Sequence, residues 1–156
     1  MDIVNLIAPA QVLADLKVAD KPQVLREIGR RAAAALGLDA RNVVDALTAR
    51  EGMGSTGIGQ GIAVPHARLP GLTQSFGLFA RLARPVDFAA IDGKPVDLVF
   101  LLLTPAVGSG DHLAALACVA RRLRDPAVAG VLRGGGDAKA LFQSLTGLPQ
   151  AERRLG

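Results

Sequence analysis

Tryptophan and tyrosine are absent from this sequence, and phenylalanine, with five copies, leaves aromatics at 3% of 156 residues. Base-stacking platforms for nucleic acid have little to be built from. Cysteine occurs once, at Cys118, which excludes an intrachain disulfide and a cysteine-pair metal site. Set among Leu113, Leu116, Ala117 and Ala120 on one face of a predicted helix, it reads as a core residue. Long apolar runs are also missing. The strongest, Leu98 to Leu103, is far short of the roughly 20 residues that a membrane-spanning helix needs. Asp2 stands where a signal peptide carries positive charge, so the expected compartment is the cytoplasm, without membrane insertion. The net charge of +4 comes from 18 Lys and Arg against 14 Asp and Glu. Its small clusters, Arg30-Arg31, Arg121-Arg122-Arg124 and Arg153-Arg154, read as solvated faces or a tail, and no nucleic-acid partner is expected.

What is present suits one core. Hydrophobic residues make up 50% and charged residues 21%, so a single domain over 1–156 is expected to bury most of its apolar surface. Val12 to Val18 alternates as a half-buried strand does. Asp20 is a predicted N-cap, with Pro22 in the first turn and Leu25, Ile28, Ala32 and Leu36 on one stripe up to Gly37. A second cap at Asp39 opens a helix carrying Val43, Val44 and Leu47, with Arg50 in its last turn. Strands are predicted at Ser75 to Leu82, Val86 to Phe88 and Asp97 to Leu103, the last apolar on both faces and hence central. Helices at Asp111 to Leu123, Ala127 to Leu132 and Ala138 to Leu145 complete an α/β single-domain layer sandwich, a mixed central β-sheet flanked by helices.

Between these elements lies Gly54 to Gly61, GSTGIGQG, with four glycines in eight residues. At roughly 1 kcal/mol lost per interior glycine, a regular element is disfavoured and a shaped loop is predicted. Ile62 to Pro65 then extends, and His66 closes that segment. The only other histidine, His112, opens a helix just past the central strand, and element ends beside a sheet are where sites are built.

The loop can be read as an anion cradle, with amides freed at Gly57, Gly59 and Gly61 and donors from the Ser55 and Thr56 hydroxyls. Its spacing matches neither the dinucleotide fingerprint nor a Walker A motif. No cofactor is called for. Neutral imidazole is a nucleophile near pH 7 and can accept and return a phosphoryl group. Arg50 would clamp the phosphoryl oxygens with its planar fork, and His112 would donate a hydrogen bond. A metal-dependent hydrolase on His66, His112 and Asp111 has too few ligands, and no metal is expected. A Ser-His-Asp hydrolase through Ser55 or Ser109 lacks the nucleophile elbow. Ile58, Ile62 and Leu69 are expected to form an apolar docking rim around His66.

The run Ala49 to His66, AREGMGSTGIGQGIAVPH, resembles the active-site signature of enzyme IIA domains of the fructose, mannitol and nitrogen type in the phosphoenolpyruvate phosphotransferase system. The resemblance extends through FAAIDGKPVDLVFLLLTP and DHLAALACVARRL. It implies that His66 is phosphorylated on Nε2, with His112 and Arg50 as companions. The STGIG loop, the start of the chain and its length look most like the nitrogen-regulatory members. That likeness implies an HPr-like phosphocarrier as donor and regulatory targets, such as kinases or transporters, read by phosphorylation state. The alternatives are a sugar-specific enzyme IIA serving a separate enzyme IIB for fructose or mannitol, and a binding module that is never phosphorylated. Nothing in the sequence sets an oligomeric state.

Overall fold

The computed structural model describes residues 2–107 and 111–147. Ser109, one of the two serines weighed as a nucleophile, and the Arg153-Arg154 pair lie outside the described residues. Two single turns of 3-10 helix, Ile3–Asn5 and Pro9–Gln11, lead into β1 (Val12–Leu16). The helix pair α1 (Lys21–Leu36) and α2 (Ala40–Gly52) follows, capped as expected by Asp20, which accepts from the Gln23 amide, and Asp39, which accepts from the Arg41 amide.

Next come β2 (Gly57–Gly59), β3 (Ile62–Ala63), β4 (His66–Leu69), β5 (Phe76–Val86) and β6 (Val96–Pro105). The chain closes with α3 (Asp111–Arg124), α4 (Pro126–Arg133) and α5 (Ala138–Thr146). The sheet order is β1-β5-β6-β3-β2, with β4 also paired to β6. β1–β5, β3–β6 and β4–β6 are parallel, whereas β5–β6 and β2–β3 are antiparallel. The expected mixed sheet is present.

β6 is the centre of the molecule, and its alternation divides the core. Leu98, Phe100 and Leu102 pack with Ala115, Val119, Leu123, Leu132, Leu141 and Leu145 of α3 to α5. Val99, Leu101 and Leu103 pack with Val24, Leu25, Ile28, Val43 and Leu47 of α1 and α2. A strand buried on both faces has to be apolar throughout, which is why Leu98 to Leu103 carries no polar residue.

Three local readings change. Gly57–Gly59 is not loop but a short strand, because Gly57 lies against Ala90, whose Cβ would stand 2.7 Å from a Cβ added there. The turn to β3 is Gln60-Gly61, with φ 59 and 78, the two left-handed positions of a type I′ hairpin. Val86 belongs to β5, which runs on through an irregular register between Arg81 and Val86.

On α3 the face toward the sheet is Ala115, Cys118, Val119 and Leu123, with Leu116 partly covered. Leu113 is 69% exposed, and Ala117 also faces solvent. The stripe is set by His112, which points into the molecule, so residues three, seven and eleven further on follow it inward. Cys118 is in the core, as read.

Candidate functional site

β3 and β4 occupy one track beside β6, with Ile62 opposite Leu98 and His66 opposite Leu102. Val64-Pro65 interrupts that track, since proline has no N–H for the ladder. The Val64 amide turns away to the Thr56 carbonyl, 2.9 Å. His66 therefore opens β4 instead of closing a strand, at a break where its ring is half-buried rather than in the core.

That break fixes the imidazole. His66 Nδ1 lies 2.9 Å from the Val64 carbonyl oxygen. A carbonyl only accepts, so Nδ1 carries the proton and Nε2 keeps its lone pair. Arg50, in the last turn of α2, donates from Nε to His66 Nε2 at 3.1 Å and from Nη1 to the Gly54 carbonyl at 2.9 Å. Burial pushes the His66 pKa below its ordinary value; the Val64 hydrogen bond opposes this, and the Arg50 charge reinforces it. The ring is held neutral and nucleophilic.

His112 reaches the same place from the first turn of α3. Its ring centroid is 5.4 Å from that of His66 at 57° between planes, and its Nδ1 lies 2.6 Å from Thr104 Oγ1 at the end of β6. Its pKa is lowered first by burial, then by His66, Arg68 and Arg50. The cleft between these groups, about 320 Å³, is lined by Arg50, Arg68, His66 and His112 together with Met53 and alanines of α2 and β4, and by no carboxylate. Such a lining suits an anion.

The glycine loop is engaged otherwise. Ser55 Oγ donates to the Phe88 carbonyl and accepts from the Gly57 amide. The Thr56 amide and hydroxyl both donate to Glu51, at 2.8 and 2.6 Å. Gln60 N donates to Asp92, Gly59 lies against Asp92, and Gly61 against Arg133 and Asp97. The structure brings together His66, His112 and Arg50, while Ser55, Thr56, Gly57, Gly59 and Gly61 build a hairpin behind them. The Ser55, Thr56 and Gly57 donors already have partners within the protein and are not turned to the cleft.

The apolar rim differs too. Ile62 and Leu69 are buried and Ile58 packs on the core, because alternation along β3 and β4 turns them inward. The exposed apolar residues beside the histidines are Met53, Val107 and Leu113, at 79, 90 and 69%. Among the described residues no group of three His, Cys, Asp or Glu side chains is placed to hold a metal.

Three participants escaped sequence reading. Thr104 orients His112, and a lone polar residue closing an apolar central strand is its signal. Arg68 shares the face of β4 with His66. Glu51, buried and 2.7 Å from Lys21 Nζ, ties α1 to the loop; an acid in the last turn of a helix, against the dipole, marks it.

Comparison with known proteins places the chain in a family. The sequence model described as "Phosphoenolpyruvate-dependent sugar phosphotransferase system, EIIA 2" matches residues 5–147. The chain belongs to that family. This EIIA domain is 50% identical over 151 residues to a nitrogen regulatory protein of Bradyrhizobium diazoefficiens, covering 97% of this chain and 98% of that one. It is 35% identical over 131 residues to a fructose-specific EIIA component of Haloferax volcanii, covering 79% and 82%. The crystal structure of the nitrogen regulatory protein IIA-Ntr from Neisseria meningitidis superimposes with a TM-score of 0.83 at 35% identity, over 92% of this chain and 99% of that one. The protein is an EIIA-type phosphocarrier with nitrogen-regulatory homologues. No helix among its described residues is long and apolar enough to cross a membrane.

Proposed function

We propose that this EIIA domain accepts a phosphoryl group on His66 Nε2 from an HPr-like phosphocarrier in the cytoplasm. It then regulates partner proteins, such as kinases or transporters, by its phosphorylation state. The observation that carries the reading is the tautomer: the Val64 carbonyl holds the proton on Nδ1 and leaves Nε2 open toward Arg50 and the cleft. The Nε2–P bond forms as the donor's N–P bond breaks, and the departing nitrogen keeps that electron pair. The proton stays on Nδ1, donated in a hydrogen bond to the Val64 carbonyl. Arg50 Nε, which occupies the Nε2 lone pair in the resting structure, must release it and turn its N–H groups to the phosphoryl oxygens, where a planar fork binds best. His112 supplies a further donor.

The 50% identity to a nitrogen regulatory protein supports the regulatory reading. The 35% identity to a fructose-specific EIIA component supports the alternative, transfer to a separate enzyme IIB. Incubation with phosphoenolpyruvate and the upstream carriers, followed by intact mass measurement, tests the acceptor step. One phosphoryl group, acid-labile and alkali-stable, is expected on His66. A protein that stays unmodified is a binding module, and phosphate mapped to Ser55, Thr56 or His112 overturns the assignment. If wild type, phosphorylated wild type and His66→Glu bind every recovered partner equally, the regulatory half fails.

A further inference from the structure

We infer that Arg68 is a second catalytic cation, which binds the phosphoryl oxygens beside Arg50 during transfer and in the phosphorylated product. The inference rests on His66 as acceptor. Along β4, Ala67 and Leu69 enter the core under α1 and α2, so His66 and Arg68 share the opposite face, two residues apart and thus about 6.6 Å along the strand. Both line the same cleft with Arg50 and His112. Arg68 is solvent-exposed, and among the described residues its guanidinium has no ion-pair or hydrogen-bond partner.

Arg81, Arg122 and Arg133 are engaged within the fold: Arg81 holds Asp15 and two carbonyls, Arg122 caps α5, and Arg133 grips Asp97. Arg68 instead lines a cleft without a carboxylate. Arg50 keeps one of its N–H groups on the Gly54 carbonyl, and its single positive charge meets an incoming group that brings about −1.5 to −2 charge. Two guanidiniums match that charge. Arg68 also helps to lower the His112 pKa, which places its charge within reach of the space between the two rings.

The test uses Arg68→Gln and Arg68→Lys beside wild type, with folding checked by circular dichroism. Two measurements are made: single-turnover transfer from the purified phosphorylated donor at saturation, and the 31P titration of the isolated phosphoprotein with no donor present. We expect Arg68→Gln to slow saturated transfer about tenfold or more and Arg68→Lys to recover part of it. The second ionisation of the phosphoryl group should move to higher pH in Arg68→Gln, since a neighbouring cation favours the dianion. A wild-type rate at saturation with an unmoved 31P titration overturns the inference. So does a change confined to donor KM, which would make Arg68 a docking contact. Absence of label from wild type, or label on His66→Ala, would instead overturn the underlying assignment of the acceptor.

Discussion

At the scale of single residues, the proposed function gives the two histidines different tasks, so they should fail differently. His66→Ala removes the accepting atom, so no donor concentration should restore labelling. His112→Ala leaves the nucleophile and both arginines, and loss of one donor commonly costs ~10²–10³ in rate; slow labelling should survive, and His112→Gln should recover part of it. A time course of phosphoryl transfer to each folded variant checks this, and labelling of His112→Ala at the wild-type rate would reduce that residue to a helix-start role. Arg50→Lys should label far more slowly than its conserved charge suggests, because the fork is lost. The pH dependence follows from the same ring environments. Both histidines have folded pKa values below the ordinary one, so below roughly pH 6.5 the unfolded chain binds protons that the folded chain resists. There is no penalty above that value and a growing one as pH falls through it. Melting temperature should therefore drop from pH 7.5 to pH 5, with a smaller drop in His66→Ala, and labelling should hold its rate as pH falls through 6.5. NMR titration of the two rings reads the shifts directly.

At the scale of elements, the hairpin behind the site is held by two devices. Glu51 joins Lys21, the Thr56 amide and the Thr56 hydroxyl, and Lys21 Nζ also donates to the Phe88 carbonyl at 3.2 Å. Lys21 keeps part of its side chain in solvent while Glu51 is buried, so Glu51→Ala acts mainly by leaving the Thr56 amide and hydroxyl unsatisfied and should cost about 1–3 kcal/mol in denaturant unfolding. It should also slow labelling, because Gly54, which anchors Arg50, precedes that loop. An unchanged midpoint would mean that Glu51 is dispensable. The second device is Gly61, at φ 78, where an added Cβ would lie 2.5 Å from Arg133 Nη2 and 2.9 Å from Asp97 Oδ1. Gly61→Ala should cost about 1–3 kcal/mol through strain and displacement of Arg133. Part of that cost should vanish when Arg133→Ala is already present, a coupling that a double-mutant cycle measures. The glycine spacing was legible in the sequence, but its purpose was not. A run that suggests an anion cradle and one that lets a hairpin approach Ala90 read alike until the partners of each amide are known.

At the scale of the whole molecule, Met53, just past α2, lines the cationic cleft, while Val107 beyond β6 and Leu113, next to His112 in α3, also expose apolar surface. Met53→Asp and Leu113→Asp should each raise the donor KM several-fold while leaving the melting temperature near wild type, as both side chains are outside the core. Unchanged KM in both variants would remove this rim from the docking surface. Local sequence determined the caps at Asp20 and Asp39, the doubly buried strand at Leu98 to Leu103 and the break at Pro65, because each depends on a residue's own backbone chemistry or on the period of its neighbours. The signature around His66 also made the family readable. Only the tertiary structure decided which ring nitrogen is open, since that depends on where the Val64 carbonyl points. It also decided that Thr104 orients His112 and that Arg68 joins the cleft. These pairings come from strand register and the packing of α2 and α3 against β4 and β6. Even where the partners are close in sequence, as Val64 and His66 are, the direction of a carbonyl or side chain is not written in the local sequence.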